Sequence, residues 1–424
     1  VTEFVDTIVA GGGTAGSAAA WQLARRGAEV LLLDSGAVVD DGPGRPFELA
    51  YADPVYQALA AESVGLWQEL EGSSVLGGSV LDRSPLLDRT GAVLHGHGPR
   101  LEAAGEALAR ARLAHELLSA ADAESRWPGL RFGGSVLFAP QGGRLHEGAA
   151  IAALRAAATA AGAQVAAGAT ITRIRILGDD LARLEVRTPA SGAGAAGSAG
   201  ASGGTCTAAG TDALSAASDG AELGEVREID CRRLVVTLGP STAKLLRGLV
   251  TLPRISATRD SSIVLPTSRE SAPAVLHFAD PTAPGQRYWR GDAAVLSGAG
   301  TVAVGWRDLV PAGASSAPSS LPPRELAALL RYAREWLPGA DPDVPTLTSR
   351  VRTSAHHGDF VVDRIGPVIV GAGFGAAGAG LAPAVGRLLA GLVDGTAAPS
   401  RFALRPDRRR AFDPAAADEA ARRA

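Results

Sequence analysis

The chain has 424 residues, 46% of them apolar, enough for two domains or one large α/β domain with a substrate-binding part. A formal net charge of −3 and the absence of a basic stripe argue against nucleic acid as a partner. The two cysteines, Cys206 and Cys231, offer neither a disulfide framework nor metal-type spacing, so a reducing, cytoplasmic setting is expected.

The first elements carry the most information. Ile8 to Ala10 reads as a strand that runs into Gly11-Gly12-Gly13-Thr14-Ala15-Gly16 and a helix from Ser17 to Arg26, closed by Gly27. Gly11 permits the tight turn, Gly13 lets a pyrophosphate approach the backbone, and Gly16 lets the helix pack closely on its strand. Thr14 and Ala15 stand in the same turn, where free N–H groups and the positive helix end favour phosphate. A second strand, Glu29 to Leu33, ends at Asp34, 23 positions after Gly11, where a carboxylate accepts hydrogen bonds from a ribose hydroxyl, with Ser35 beside it. The alternative is a structural turn, but the order of strand, turn, helix, strand and acid favours a dinucleotide site. No signal-peptide pattern precedes the first strand.

Residues 36–46 form a Gly/Pro-rich connection, and 53–70 have apolar positions at helical spacing. Short strands and turns are expected over 77–93, and an alanine- and leucine-rich helix over 99–121. His95-Gly96-His97 reads as an exposed turn, and Arg126-Trp127-Pro128-Gly129-Leu130 as another. A second long helix, 146–161, leads to strand-like alternation at 170–176 and 184–187, a hairpin packed on the nucleotide domain. Residues 189–224 are almost wholly Ala, Gly, Ser and Thr and are expected to be a flexible insertion in that hairpin, with Cys206 incidental inside it.

Arg233 to Gly239 reads as a buried strand ending in glycine, followed by a short helix, 241–247. Several strands are expected over 262–304, with Tyr288-Trp289-Arg290 in one and Val302 to Arg307 in another. An amphipathic helix fills 321–337 and stops at Pro338-Gly339. Val368 to Val370 leads into a second glycine turn, Gly371 to Gly378, and a helix to Val393. The uncharged stretch 365–386 is too rich in glycine and proline for a membrane span, and the tail from Arg405 is charged.

Two glycine-rich strand-to-helix turns at opposite ends of one chain are more informative than either alone. The sequence resembles the FAD-dependent amine and amino-acid oxidases of the D-amino-acid oxidase/sarcosine oxidase superfamily. The resemblance is carried by the Gly11–Gly16 loop with Asp34, by Arg126 to Leu130, and by the helix–strand pair over 146–176. It continues through Val235 to Leu246, which looks like the family's Gly-x-Trp-x-x-x-Leu-Leu segment, and through Val368 to Pro383 and Phe402 to Arg408.

This implies an α/β protein with a discontinuous Rossmann-like FAD-binding domain (1–45, 145–247 and 345–400). An α+β substrate domain (46–144 and 248–344) would supply a large mixed or antiparallel sheet, with 401–424 as a tail. By resemblance, Gly373, Phe374, Gly375 and Gly378 border the isoalloxazine ring, and the following helix points its N-terminus at the flavin C2 carbonyl. Gly239 falls in the Gly-x-Trp segment. Arg45 sits where the family places an arginine close to the flavin, a plain loop arginine being the other reading. The chemistry implied is hydride transfer from a carbon bearing an amine to flavin N5, with reoxidation by O2 and an amine or amino-acid-like small molecule as substrate. The alternatives are a dehydrogenase with another electron acceptor and a flavin-binding protein without turnover. The sequence sets no oligomeric state.

The departures from the family pattern are specific. The segment Arg350-Val351-Arg352-Thr353 has no cysteine, so FAD should be non-covalent. Gly380 and Ala303 stand where related enzymes have lysines for substrate carboxylate and for oxygen, and Ser241 replaces a tryptophan. Arg307 replaces the histidine after the Gly-aromatic pair. Arg290 and Arg307, each after an aromatic residue, are the candidates to bind a substrate carboxylate through two parallel hydrogen bonds, with a solvated strand arginine as the alternative. Tyr288 and Trp289 are candidates to wall the pocket, with simple core packing as the equal alternative, and alternation allows at most one of two neighbours to face it. His356-His357-Gly358-Asp359 has no third ligand spaced to complete a metal site, so no metal is expected, and the stretch reads as a loop near the flavin.

Overall fold

The computed structural model describes residues 3–36, 43–73, 86–188, 225–268, 272–280, 282–286, 288–289, 291–298, 300–307 and 321–404. As the sequence predicts, β1 (Glu3–Ala10), α1 (Thr14–Ala24) and β2 (Val30–Asp34) open the fold. β3 (Arg45–Phe47) and the long helix α2 (Pro54–Glu71) come next. The Asp53 carboxylate caps α2 by accepting from the Val55 and Tyr56 amides.

There follow β4 (Leu87–Asp88), β5 (Ala92–Gly96), α3 (Gly98–Arg110), β6 (Glu116–Leu118), α4 (Ala120–Arg126), β7 (Val136–Ala139) and β8 (Gly143–Leu145). The single helix expected over 99–121 is corrected. Arg112 takes a left-handed φ of +55° just past α3, which ends that helix. Residues 116–118 then pair with β7, and Ser119 restarts a helix by accepting from the Asp122 amide.

α5 (Glu147–Ala160), β9 (Gln164–Ala167), β10 (Thr170–Gly178), β11 (Leu181–Arg187) and β12 (Val226–Val236) return to the first layer. The 189–224 insertion and Cys206 lie outside the described residues. Its flanks are held together, with the Thr188 amide donating to the Glu225 carbonyl at 3.1 Å. α6 (Thr242–Leu245), β13 (Ile255–Pro266), β14 (Ala274–Phe278), β15 (Asp292–Gly298), β16 (Thr301–Arg307) and α7 (Pro323–Trp336) come next. β17 (Thr346–Ala355), β18 (Val361–Ile365), β19 (Val368–Ala372) and α8 (Ala382–Val393) close the fold. The tail from Arg405 is outside the described residues. Among those residues no helix is long and apolar enough to cross a membrane.

The first sheet runs β10-β11-β12-β1-β2-β9, with β19 beside β12 and β18 beside β19. Strands β9, β2, β1, β12 and β19 pair in parallel, and β2 and β19 are buried along their whole length, which explains the apolar runs Val30 to Leu33 and Val368 to Val370. Val9, Leu32, Val235 and Ile369 join the core under helices α1, α5 and α8. Their neighbours Ile8, Leu31, Leu234 and Val370 join the opposite core, beneath β10 and β11.

Helices α1 and α8 cross at backbone distance. A Cβ placed on Gly386 would lie 2.5 Å from the Ala18 carbonyl carbon. Gly386→Val is therefore expected to cost about 3 kcal/mol, the upper end for overpacking. It should be read as a lowered urea midpoint, and an unchanged midpoint would show that the helices can separate without cost.

The second sheet has the order β17-β13-β16-β15-β14-β5-β7-β6, and within it only β14 and β5 pair in parallel. It is mixed, one of the two forms, mixed or antiparallel, that the resemblance implied for the large sheet. β17, in the segment 345–400 assigned by resemblance to the nucleotide domain, is its outer strand. A small sheet, β3-β8-β4, places β3 against the face of the second sheet.

Candidate active site

β1, β12 and β19 are parallel neighbours, so the turns that follow them emerge at one edge of the first sheet. That edge carries Gly11–Gly16, Gly239 and Gly373–Gly378 together. Gly11 has φ +108°, and a Cβ there would sit 2.5 Å from the Thr237 carbonyl oxygen. Gly16 is tighter still, with a Cβ position 1.8 Å from the Gly11 oxygen. Gly13 is the opposite case, because nothing lies within 4 Å of its Cβ position. Gly13 also precedes α1 without any side-chain cap, leaving the first amides of Thr14, Ala15 and Gly16 without intrahelical partners. Open space in front of uncapped amides fits a pyrophosphate.

Asp34 ends β2 and is 6% exposed, with Ser35 exposed beside it. One Asp34 oxygen takes an ion pair from Arg155 Nη1 at 2.8 Å. Arg155, from α5, also donates to the Gly12 carbonyl and, through Nε, to Ser17 Oγ at 3.4 Å. It fastens the acid to the glycine turn, and sequence reasoning missed it. A signal was present, since Arg155 is the only basic residue in the alanine-rich helix 147–160. Thr237 was also missed. Its hydroxyl lies 3.1 Å from the carbonyl oxygens of both Ala10 and Gly11 and ties β12 to the same turn.

At the second turn Gly373 (φ +72°) and Gly375 (φ +57°) take conformations that favour glycine. The Gly375 amide donates to the Thr353 carbonyl at 2.8 Å, and a Cβ on Gly378 would meet Phe374 Cβ at 2.5 Å. The Phe374 ring stands edge-on to Phe360, centroids 5.2 Å apart. The loop is thus fixed between β17 and α8. Gly239 (φ +52°) has open space at its Cβ position.

Beside this loop lies a solvent-open cleft, bounded by Arg45 and Pro46, by Ala376, and by the face of the second sheet. Strand alternation sorts the residues of β16. Ala303, Gly305 and Arg307 line the cleft, whereas Val302 and Val304 are buried in the core beneath α7, with Trp306 packed against it. Arg45 Nε donates to Glu147 Oε2 at 2.6 Å, and Arg350 Nη1 donates to the Gly44 carbonyl at 2.7 Å. Arg307 pairs with Glu48, a buried acid that sequence reasoning did not single out. Burial first, and the Glu48 charge second, push the nearby Tyr51 hydroxyl well above its ordinary pKa.

Of the two readings of the aromatic pair, core packing is the one found, and the strand expected there is corrected. Tyr288 and Trp289 lie in a turn before β15, not in a strand, and pack into the core under α7. Tyr288 Oη donates to Glu335 at 3.0 Å and its ring lies under the Arg331 guanidinium, so it cannot wall the cleft. Arg290 lies outside the described residues. His356 and His357 are in the turn after β17, where His357 Nδ1 accepts from the Asp359 amide at 3.1 Å.

His95 is also corrected from exposed turn to core. It is 1% exposed on β5 and stacks on His277, ring centroids 3.7 Å apart, amid Phe132 and Trp336. Burial holds the His95 imidazole down to about 3, and burial plus the neighbouring ring holds His277 lower still. Both fold neutral but bind protons at about 6.5 when unfolded, so their penalty appears as pH falls below that value. Each histidine is expected to remove about 1.4 kcal/mol per pH unit between pH 6 and 4. A His277→Phe variant should show a correspondingly shallower fall in urea midpoint, and an identical fall would refute the assignment.

Residues 6–392 match the family described as FAD dependent oxidoreductase. The chain belongs to that family. The cofactor of this FAD dependent oxidoreductase is FAD, and the open phosphate turn with its adjoining acid fits it. The chain is 30% identical to peroxisomal sarcosine oxidase of Mus musculus over 181 residues, 41% of this chain and 45% of that protein. It is 32% identical to monomeric sarcosine oxidase of a Bacillus species over 175 residues, 38% of this chain and 42% of that protein. The alignments therefore span less than half the length of these curated relatives. Among solved structures, that of NikD, described as an unusual amino acid oxidase essential for nikkomycin biosynthesis, superposes with a TM-score of 0.70. The match covers 95% of this chain and 98% of NikD at 22% identity, which shows a common fold.

Proposed function

We propose that this FAD dependent oxidoreductase holds its cofactor non-covalently and oxidises the C–N bond of a small amine or amino-acid-like molecule, with O2 as the final acceptor. The observation that carries the reading is the placement of both glycine turns at one sheet edge, beside a cleft roofed by the second sheet. When bound, FAD supplies the hydride acceptor, N5 of its ring.

The chain's own residues do the rest. Gly11 to Gly16, with the α1 amides, hold the pyrophosphate, and Asp34 receives a ribose hydroxyl while Arg155 steadies its other oxygen. Gly373 to Gly378 shape the wall beside the ring. The α8 N-terminus brings a positive dipole end that favours negative charge on the reduced cofactor. Cleft-facing residues of β13, β15 and β16 orient the reacting carbon and exclude water, and the reading needs no acid or base at that carbon. The FAD-binding part is drawn from 1–45, 145–247 and 345–400, and the substrate part from 46–144 and 248–344. A cytoplasmic location belongs to the same reading, on the cysteine content.

A second reading, a dehydrogenase passing electrons to another carrier, is favoured by Ala303, which puts an uncharged methyl group on the cleft face. The test begins with the visible spectrum of purified protein before and after acid precipitation. Flavin bands that move to the supernatant support non-covalent FAD. A colourless protein that FAD cannot reconstitute would sink the proposal. Anaerobic bleaching of the flavin by an amine then tests oxidation, and peroxide formed in air separates oxidase from dehydrogenase.

A further inference from the structure

Arg307, which lines the cleft, is paired before any ligand enters. Arg307 Nη1 donates to Glu48 Oε1, and Glu48 is 8% exposed, so its carboxylate has little water to replace that partner. Asp292 lies directly opposite Arg307 in strand register and is 1% exposed. It accepts two hydrogen bonds from Arg100, at 2.6 and 2.7 Å. Arg100, Asp292, Arg307 and Glu48 therefore alternate in sign and sum to zero. Among the described residues that line the cleft, Arg45 is paired with Glu147, and Arg350 donates to the neutral Gly44 carbonyl.

A carboxylate that approaches Arg307 must either take it from Glu48 or share the guanidinium with that acid. The first choice strands a buried acid and the second adds like-charge repulsion, and both are unfavourable. An amine without a carboxylate meets neither obstacle.

We propose that the Glu48–Arg307 pair excludes α-carboxylates, so that the substrate is an amine whose reacting carbon bears no carboxylate. This rests on the reading of the chain as an amine-oxidising flavoenzyme and narrows its substrate class. It also changes the role expected for Arg307, from substrate anchor to a positioning residue that holds Glu48 at the cleft.

The test is calorimetric titration of the FAD-loaded protein with benzoate, for wild type, Glu48→Gln and Glu48→Gln/Arg307→Gln. Glu48→Gln keeps the shape but releases the Arg307 charge, so benzoate should bind at least tenfold more tightly than to wild type. The gain should vanish in the double variant. Equal affinity in wild type and Glu48→Gln overturns the proposal, as does a gain that survives in the double variant. If Glu48→Gln alone does not fold, the double variant, which strands no charge, decides against wild type: a benzoate affinity no lower than wild type supports the pair as an excluding device, and a tenfold loss shows that wild-type Arg307 binds carboxylates. Failure of the broader functional reading looks different, because it appears as missing flavin or as no bleaching by any amine, whatever benzoate does.

Discussion

Gly16→Ala should unfold the nucleotide-binding edge of the protein. The added Cβ would lie 1.8 Å from the Gly11 carbonyl oxygen and 2.5 Å from Thr237 Oγ1. Neither neighbour can retreat. The Gly11 amide is hydrogen-bonded to the Leu33 carbonyl at 2.9 Å, and the Thr237 amide to the Ala10 carbonyl at 2.8 Å. Moving α1 outward is blocked by its contact with α8 at Gly386. The cost is expected at about 3 kcal/mol or more, beyond the usual range for overpacking because the obstacle is backbone. Urea midpoint and the ratio of flavin to protein absorbance would both fall. Gly13→Ala is the matched control, since its φ of −68° suits alanine and its Cβ meets nothing. That variant should fold with a midpoint near wild type yet lose flavin, because the methyl fills the space left for the pyrophosphate. If Gly16→Ala retained both midpoint and flavin, the close-packing account of this turn would be wrong.

Arg307→Ala is expected to be the most damaging change at the cleft. It leaves Glu48, 8% exposed, without its guanidinium, and removing one partner of a buried pair typically costs about 3–5 kcal/mol. Removing both charges should cost less than removing one, because no stranded carboxylate remains. A double-mutant cycle with Glu48→Ala should therefore show a coupling of at least about 3 kcal/mol in urea unfolding, larger than the cost of Glu48→Ala alone. A coupling near zero would mean that the pair is solvated and does not hold the cleft wall in place. The same comparison bears on specificity, because an Arg307 committed to Glu48 is not available to a ligand.

The two halves of the site were legible to different degrees. The Gly11–Gly16 turn, Asp34 and the Gly371–Gly378 loop can be read locally, because positive φ, helix starts and strand ends have short-range signatures. The parallel strands were legible for the same kind of reason: burial on both faces leaves runs such as Val30 to Leu33 and Val368 to Val370. The 99–121 stretch was misread because helix propensity in Glu116 to Leu118 is overridden by pairing with β7, a partner about twenty residues further along. A strand was expected at Tyr288 because an aromatic pair favours strands, while the packing of Tyr288 and Trp289 against Tyr332 and Trp306 holds them in a turn under α7.

What the amino-acid sequence determined by itself is the cofactor class, the order of the two nucleotide turns and the presence of a second large sheet. Only the tertiary structure decided which face each side chain of that sheet presents and which charges meet. Glu48 and Arg307 are 259 positions apart, Arg155 reaches Gly12 across 143, and His95 stacks on His277 from another strand. The physical reason is one of range. Backbone conformation and burial patterning act over a few residues, whereas ion pairing and face selection depend on strand register, and a shift of one residue would exchange Ala303 for Val304 at the cleft.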